Sequence, residues 1–135
     1  MMNRLAFPLL LLAAPLAANA DSVDPLLSQG WTFQQRDGAA LYRAACQGCH
    51  MDQGQGAQGA GAYPALRGNV RAGMAEYVIH NVLHGRRAMP PVGEFMEDVQ
   101  VAAVVNFVRQ QFGPRPAAGE PLPLPVTAAD VKRQR

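Results

Sequence analysis

The sequence predicts an all-α fold, and three observations carry that expectation. No segment alternates apolar and polar residues as a half-buried strand would. Three stretches carry apolar or small helix-forming residues at helical spacing, and two of them end on a glycine, Gly85 and Gly113. At 135 residues the chain allows one domain with a modest core.

Residues 1–20 read as a secretory signal: Arg4 in a short leading region, an apolar run from Leu5 to Ala17, and Ala18-Asn19-Ala20 as a small-residue cleavage site. The run holds Pro8 and Pro15 and falls short of the roughly 20 residues that span a bilayer. Cleavage after Ala20 is expected, giving an exported, periplasmic protein with no membrane span in its mature form. Residues 21–36 form an irregular N-terminal arm whose Trp31 is expected to pack on the domain. Lys and Arg number twelve against ten Asp and Glu, and loss of Arg4 leaves eleven against ten. That balance gives no sign of a nucleic-acid partner or a polybasic membrane anchor.

The domain proper is expected over residues 37–113. Asp37 offers an N-cap to a helix of good helix formers, with Leu41, Tyr42 and Ala45 on one side. On its last turn hangs Cys46-Gln47-Gly48-Cys49-His50. C-x-x-C-H is the pattern of covalent haem attachment. Two thiols one helical turn apart can add to the two vinyl groups of a haem while the adjacent imidazole is carried beneath the ring, so His50 is the expected proximal ligand. A thioredoxin-type dithiol calls for a βαβ setting and a zinc site for further Cys or a spaced His pair, and the chain has neither. Both cysteines of the chain lie in this motif, so export to an oxidising compartment needs no structural disulfide.

Residues 52–61 are rich in Gly, Gln and Ala and read as a loop. Gly54, Gly56 and Gly59 match G-x-G-x-x-G, but no strand precedes them and Tyr63-Pro64 follows, so a dinucleotide site is not expected. Small residues there let the backbone wrap closely around something. A middle helix is expected from Arg71 to His84, with Met74, Val78 and Val82 on one stripe and Gly85 as its stop. A proline-containing loop, Arg86 to Phe95, leads to a final helix from Glu97 or Asp98 to Phe112, opened by acidic residues and stopped by Gly113-Pro114. Residues 114–135 form a Pro-rich tail, expected to lie extended on the domain and to end in a short helical turn capped by Thr127.

The residues that can face the iron opposite His50 are Met51, Met74, Met89, Met96, His80 and His84. Met51 adjoins His50 and cannot reach round the ring. Met74 shares the apolar stripe and Met96 stands at the entrance to the last helix, so both are expected in the core. His80 and His84, at i and i+4, leave a bis-His site open as an alternative. Met89 lies in a loop, 39 residues past His50, where Pro90 and Pro91 restrict the backbone that carries its sulfur.

Cys46-x-x-Cys49-His50 at the end of a first helix and Ala88-Met89-Pro90 before a last amphipathic helix, within residues 37–113, resemble the class I c-type cytochromes. The resemblance implies the cytochrome c fold, with first, middle and last helices around one covalent haem c and Met89 as second iron ligand. It implies that Gly38 and Tyr42 cross the last helix, facing Val104 and Phe107. It also implies that the Pro64 carbonyl meets the proximal imidazole and that Leu66 lines the haem. Tyr63 to Asn69, His84 to Pro90, Ala102 to Arg109 and Val126 to Val131 are similar to small cytochromes that serve as subunits or acceptors of periplasmic dehydrogenases. Arg86 and Arg87 are placed to pair with propionates, meet a partner or stay solvated. The function expected is electron transfer without catalysis: one electron is taken from a periplasmic dehydrogenase donor and passed to an oxidase or another cytochrome. A haem protein with an open or bis-His distal site, binding gas or performing catalysis, is the alternative.

Overall fold

The computed structural model describes residues 32–59 and 61–135. The expected signal segment, the first part of the arm and Trp31 lie outside the described residues.

Helix α1 (Gly38–Ala45) begins as the sequence indicates, Asp37 standing extended with its carboxylate accepting from the Ala40 N–H at 2.9 Å. Cys46 then interrupts the helix, and α2 (Gln47–His50) is a separate turn rather than the end of α1. The loop beyond it contains a two-residue antiparallel ladder, β1 (Ala57–Gln58) with β2 (Ala62–Tyr63). Strands this short leave no alternation to read, which is why the sequence showed only a loop there.

The expected middle helix is divided. A 3-10 turn, Val70–Gly73, is capped by the Asn69 side chain, Met74 is extended, and α3 (Ala75–His84) follows, ending at Gly85. Met74 therefore leaves the stripe of Val78 and Val82, and instead of entering the core it stands 56% exposed. Met96, at the end of a second 3-10 turn (Val92–Phe95), is buried as expected.

Helix α4 (Asp98–Phe112) is the element the others pack on. It contacts α1, α3, the first 3-10 turn and a last short helix, α5 (Ala128–Lys132). Its first turn is closed by a reciprocal pair: the Glu97 side chain accepts from the Gln100 N–H, and the Gln100 side chain accepts from the Glu97 N–H. Gln100 is buried because its amide also donates to the carbonyls of Phe33 and Gln35, both at 2.7 Å, so residues 33–35 are tied to the helix. Val101, Val104, Val105, Val108 and Phe112 turn inward.

Helix α1 crosses α4 at Gly38. A Cβ there would fall inside the Ala103 carbonyl and lie 2.9 Å from the Phe107 Cβ. The close approach falls on Ala103 and Phe107 rather than on Val104, which sits about 100° further round the helix and is buried in the core. Tyr42, Phe107 and Phe112 gather at the crossing with ring centroids 5.1–5.9 Å apart.

The tail lies over α4. Asn106 exchanges two 2.8 Å hydrogen bonds with the Val126 backbone, and Arg109 donates to the Leu124 carbonyl. Thr127 caps α5 in a reciprocal arrangement with Asp130, and Val131 is fully buried. Among the described residues no helix is long and apolar enough to cross a membrane.

Candidate functional site

The α2 turn brings Cys46 and Cys49 together with neither thiol in a disulfide, Cys46 buried and Cys49 exposed. Burial, with Cys49 adding to it, pushes the Cys46 thiol up to about 12, so in the free form it remains a thiol. His50 is only 8% exposed, and its Nδ1 lies 2.9 Å from the Pro64 carbonyl oxygen. A carbonyl can only accept, so Nδ1 carries the proton and the lone pair is left on Nε2. The imidazole is thereby oriented and made a better donor toward a metal at Nε2.

Several bonds hold that carbonyl in place. The Gly56 N–H donates to the His50 carbonyl at 3.1 Å, and the Gly54 carbonyl accepts from both Leu66 and Arg67 at 2.8 and 2.9 Å. The chain thus leaves His50, turns at Gly54 with φ +66 and returns past Pro64 to the half-buried Leu66. Gly54 faces the Phe112 ring, which a Cβ would meet at 2.7 Å. Two of the three glycines in the misleading G-x-G-x-x-G therefore serve close backbone approach, since a Cβ at Gly56 would also strike the Tyr63 carbonyl.

Met51, next after His50, has φ 64 and ψ 168, a region otherwise nearly reserved for glycine. Its carbonyl accepts from the Tyr42 hydroxyl at 2.7 Å. Burial first, with the Asp52 charge adding to it, pushes that hydroxyl up to about 12, so it donates throughout the ordinary pH range. Sequence reading found Tyr42 as a crossing residue and missed this second duty.

Met89 sits on a two-residue turn. Arg86 and Met89 exchange two backbone hydrogen bonds of 3.0 Å, and Arg87 at the bend has φ 54. Met89 is half-buried against the core, and both prolines follow it directly. Arg86 is exposed, its guanidinium 5.7 Å from the Tyr77 ring centre, and Arg71 stands 5.6 Å from the same ring. Burial raises the Tyr77 hydroxyl. Bonds with Asn81 and Arg71 and the charges of Arg86 and Arg71 outweigh it and hold the group below its ordinary value of 10.

His80 and His84 are exposed, their ring centres 4.8 Å apart, and His84 Nε2 donates to the Gln134 carbonyl at 2.9 Å. No third His, Cys, Asp or Glu completes a metal-binding group with them among the described residues. The donor set that does converge on one chemistry is therefore two free thiols, a buried imidazole with Nε2 available, and a thioether on a braced turn. It fits a covalently held haem.

Residues 33–108 match the family described as cytochrome c oxidase, cbb3-type, subunit III. The chain belongs to the cytochrome c family. A protein called cytochrome c-552 from Thermus thermophilus is 33% identical over 127 residues, covering 82% of each chain. A second cytochrome c-552 from the same species is 33% identical over 118 residues, 75% of this chain and 86% of its own. The fructose dehydrogenase cytochrome subunit of Gluconobacter japonicus is 34% identical over 92 residues, 57% of this cytochrome but 19% of that protein. The cofactor of this cytochrome is covalent haem c, and its activity is electron transfer. The helical cytochrome c fold expected from the sequence is the one observed.

Proposed function

We propose that Cys46 and Cys49 form the two thioether bonds, that His50 Nε2 and the Met89 sulfur are the axial ligands, and that Pro64 and Leu66 line the haem pocket. The observation that carries this reading is the 2.9 Å contact of His50 Nδ1 with the Pro64 carbonyl, which leaves a single ring nitrogen free beside two unpaired thiols. When bound, the haem supplies reversible one-electron chemistry. His50 and Met89 would hold the iron between them and leave no side open to substrate, and the Met89 thioether would favour the reduced state relative to a second imidazole.

The cytochrome is exported, with the signal removed after Ala20, takes its electron from a periplasmic dehydrogenase, and delivers it to an oxidase or another cytochrome of the respiratory chain. The Gluconobacter relative, a dehydrogenase's cytochrome subunit by name, supports the donor. A carrier of this kind docks through a small contact, below about 1,200 Å², that permits turnover.

Met89→Ala tests the ligand assignment. The purified holoprotein is expected to keep its covalent pigment, lose the weak red band of a ferric thioether complex, fall in potential and bind carbon monoxide when reduced. An unchanged spectrum and potential would exclude Met89 and return His80 or His84 to consideration. Reduction of the cytochrome by dehydrogenases purified from the same periplasm tests the donor.

A further inference from the structure

We propose that the end of the tail is a positioning device for the distal loop: Gln134 and Arg135 hold the two ends of the segment that carries Met89. The proposal rests on the reading of Met89 as axial ligand. The segment runs from His84, the last residue of α3, to Met96. At its near end His84 Nε2 donates to the Gln134 carbonyl at 2.9 Å. At its far end the Arg135 guanidinium donates from Nη2 to the carbonyls of Met96 and Gly93, at 2.7 and 3.2 Å, and from Nε to the Asp98 carboxylate at 2.6 Å. Two consecutive residues thus bracket a loop from which they are 39 to 50 positions distant in sequence.

The loop needs such a grip. Its turn is closed by the Arg86–Met89 pair, but Pro90 and Pro91 have no N–H to donate, so the stretch after the sulfur is fixed largely through carbonyls. Gly93 lies against the Val82 carbonyl and Leu83 of α3, and the Phe95 carbonyl accepts from the Phe33 N–H at 3.1 Å. Arg135 adds a planar, charged fork whose Nη2 reaches two more carbonyls while its Nε holds the Asp98 carboxylate, a geometry a lysine cannot reproduce. The arm that presents it is itself anchored, by the buried Val126 and Val131, by the paired bonds of Asn106, and by the Thr127–Asp130 cap.

The consequence is a lower population of the state in which the Met89 turn has swung away. An external ligand such as imidazole binds the ferric haem only from that state, so its apparent affinity scales with the open fraction. Loss of the charged bonds of Arg135 is expected to raise imidazole affinity about tenfold.

The test compares holoproteins of the wild type, Arg135→Ala, Arg135→Lys, Arg67→Ala and Met89→Ala by imidazole titration, the ferric thioether band, and amide hydrogen exchange. Arg67→Ala removes a single arginine–carbonyl bond, to Gln53, in the proximal loop. Arg135→Ala is expected to bind imidazole about tenfold more tightly, to lose part of the band, and to exchange the Arg86 and Met89 amides faster by a similar factor. The Gly56 and Leu66 amides should keep the wild-type rate in that variant. Arg135→Lys should resemble Arg135→Ala, and Arg67→Ala should match the wild type in imidazole affinity. Wild-type behaviour in Arg135→Ala, or equal acceleration of proximal and distal amides, overturns the proposal. If Met89→Ala leaves spectrum and imidazole affinity unchanged, the ligand assignment fails instead, and the Arg86 and Met89 amides in Arg135→Ala still decide the clamp.

Discussion

Residues 42–66 on the proximal side are joined by short-range bonds, the Tyr42 hydroxyl reaching nine residues to Met51 and the His50 ring fourteen to Pro64. The distal loop, residues 85–96, is held from outside itself: by Phe33 before the domain, by α3 and by residues 134 and 135. Closing a 50-residue loop rather than a 14-residue one adds only about 1 kcal/mol of entropy, so the difference is not mainly one of cost. It is one of dependence. The hydrogen bonds of the proximal loop require a glycine-rich stretch and one proline, with the Phe112 ring of α4 packed on Gly54, whereas those of the distal loop draw on Phe33 and the tail at once. An attachment through Cys46 and Cys49, as proposed, would be built on the locally closed side and could form early, whereas Met89, the proposed second ligand, would be delivered only once the surrounding domain is folded.

The largest effect expected is on the local side. Cys49→Ala leaves one thiol for the proposed attachment, and most of the holoprotein should be lost, measured as pigment retained after denaturation. Full yield would remove double attachment from the account.

Gly54→Ala strains a φ of +66 and drives a methyl into the Phe112 ring. A destabilisation of about 2–3 kcal/mol is expected, or roughly 10 °C or more in Tm for a domain of this size. Faster exchange at Gly56 and Leu66, with Arg86 and Met89 unaffected at low temperature, would sharpen the contrast between the sides.

Each proposed axial ligand has a non-glycine residue of positive φ nearby, Met51 immediately after His50 and Arg87 two before Met89. Glycine at either place relieves backbone strain of about 1–2 kcal/mol, partly offset by the greater freedom glycine gives the unfolded chain. A net gain of about 1 kcal/mol is expected for each. Met51→Gly should leave imidazole affinity as it is, because the proximal loop has other closures. Arg87→Gly should raise Tm while tightening imidazole binding, since a more pliant turn releases its sulfur more readily. If both variants behave alike, the two sides do not differ as described.

The smallest effect is in acid. Bonds from the Thr127 hydroxyl and N–H, then from Arg133, hold the Asp130 carboxyl at about 2, below its ordinary 3.8. A depressed carboxyl contributes stability that is present above 3.8 and lost as the pH falls through about 2. The α5 cap should therefore fade over that window in the wild type and show no such dependence in Asp130→Asn. Amide exchange at Val131 and Arg133 measures it.

The meeting of Pro64 with His50 followed from the resemblance to the c-type cytochromes, whereas the local amino-acid order determined the motif and its spacing, the Asp37 and Thr127 caps, the span of α4 and the buried Met96. Each depends on a few neighbouring residues or on a strong periodic pattern. It did not disclose the extended backbone that exposes Met74, the placing of the α1 crossing on Ala103, the second duty of Tyr42, or the reach of Arg135. Nothing marks an arginine near the end of a polar tail as the partner of carbonyls 39 and 42 positions away. Helices and caps arise from interactions along the chain, so they are visible in it. The bracing of a proline-rich loop arises from whichever donors the packed domain carries past it, and only the tertiary structure determines which those are.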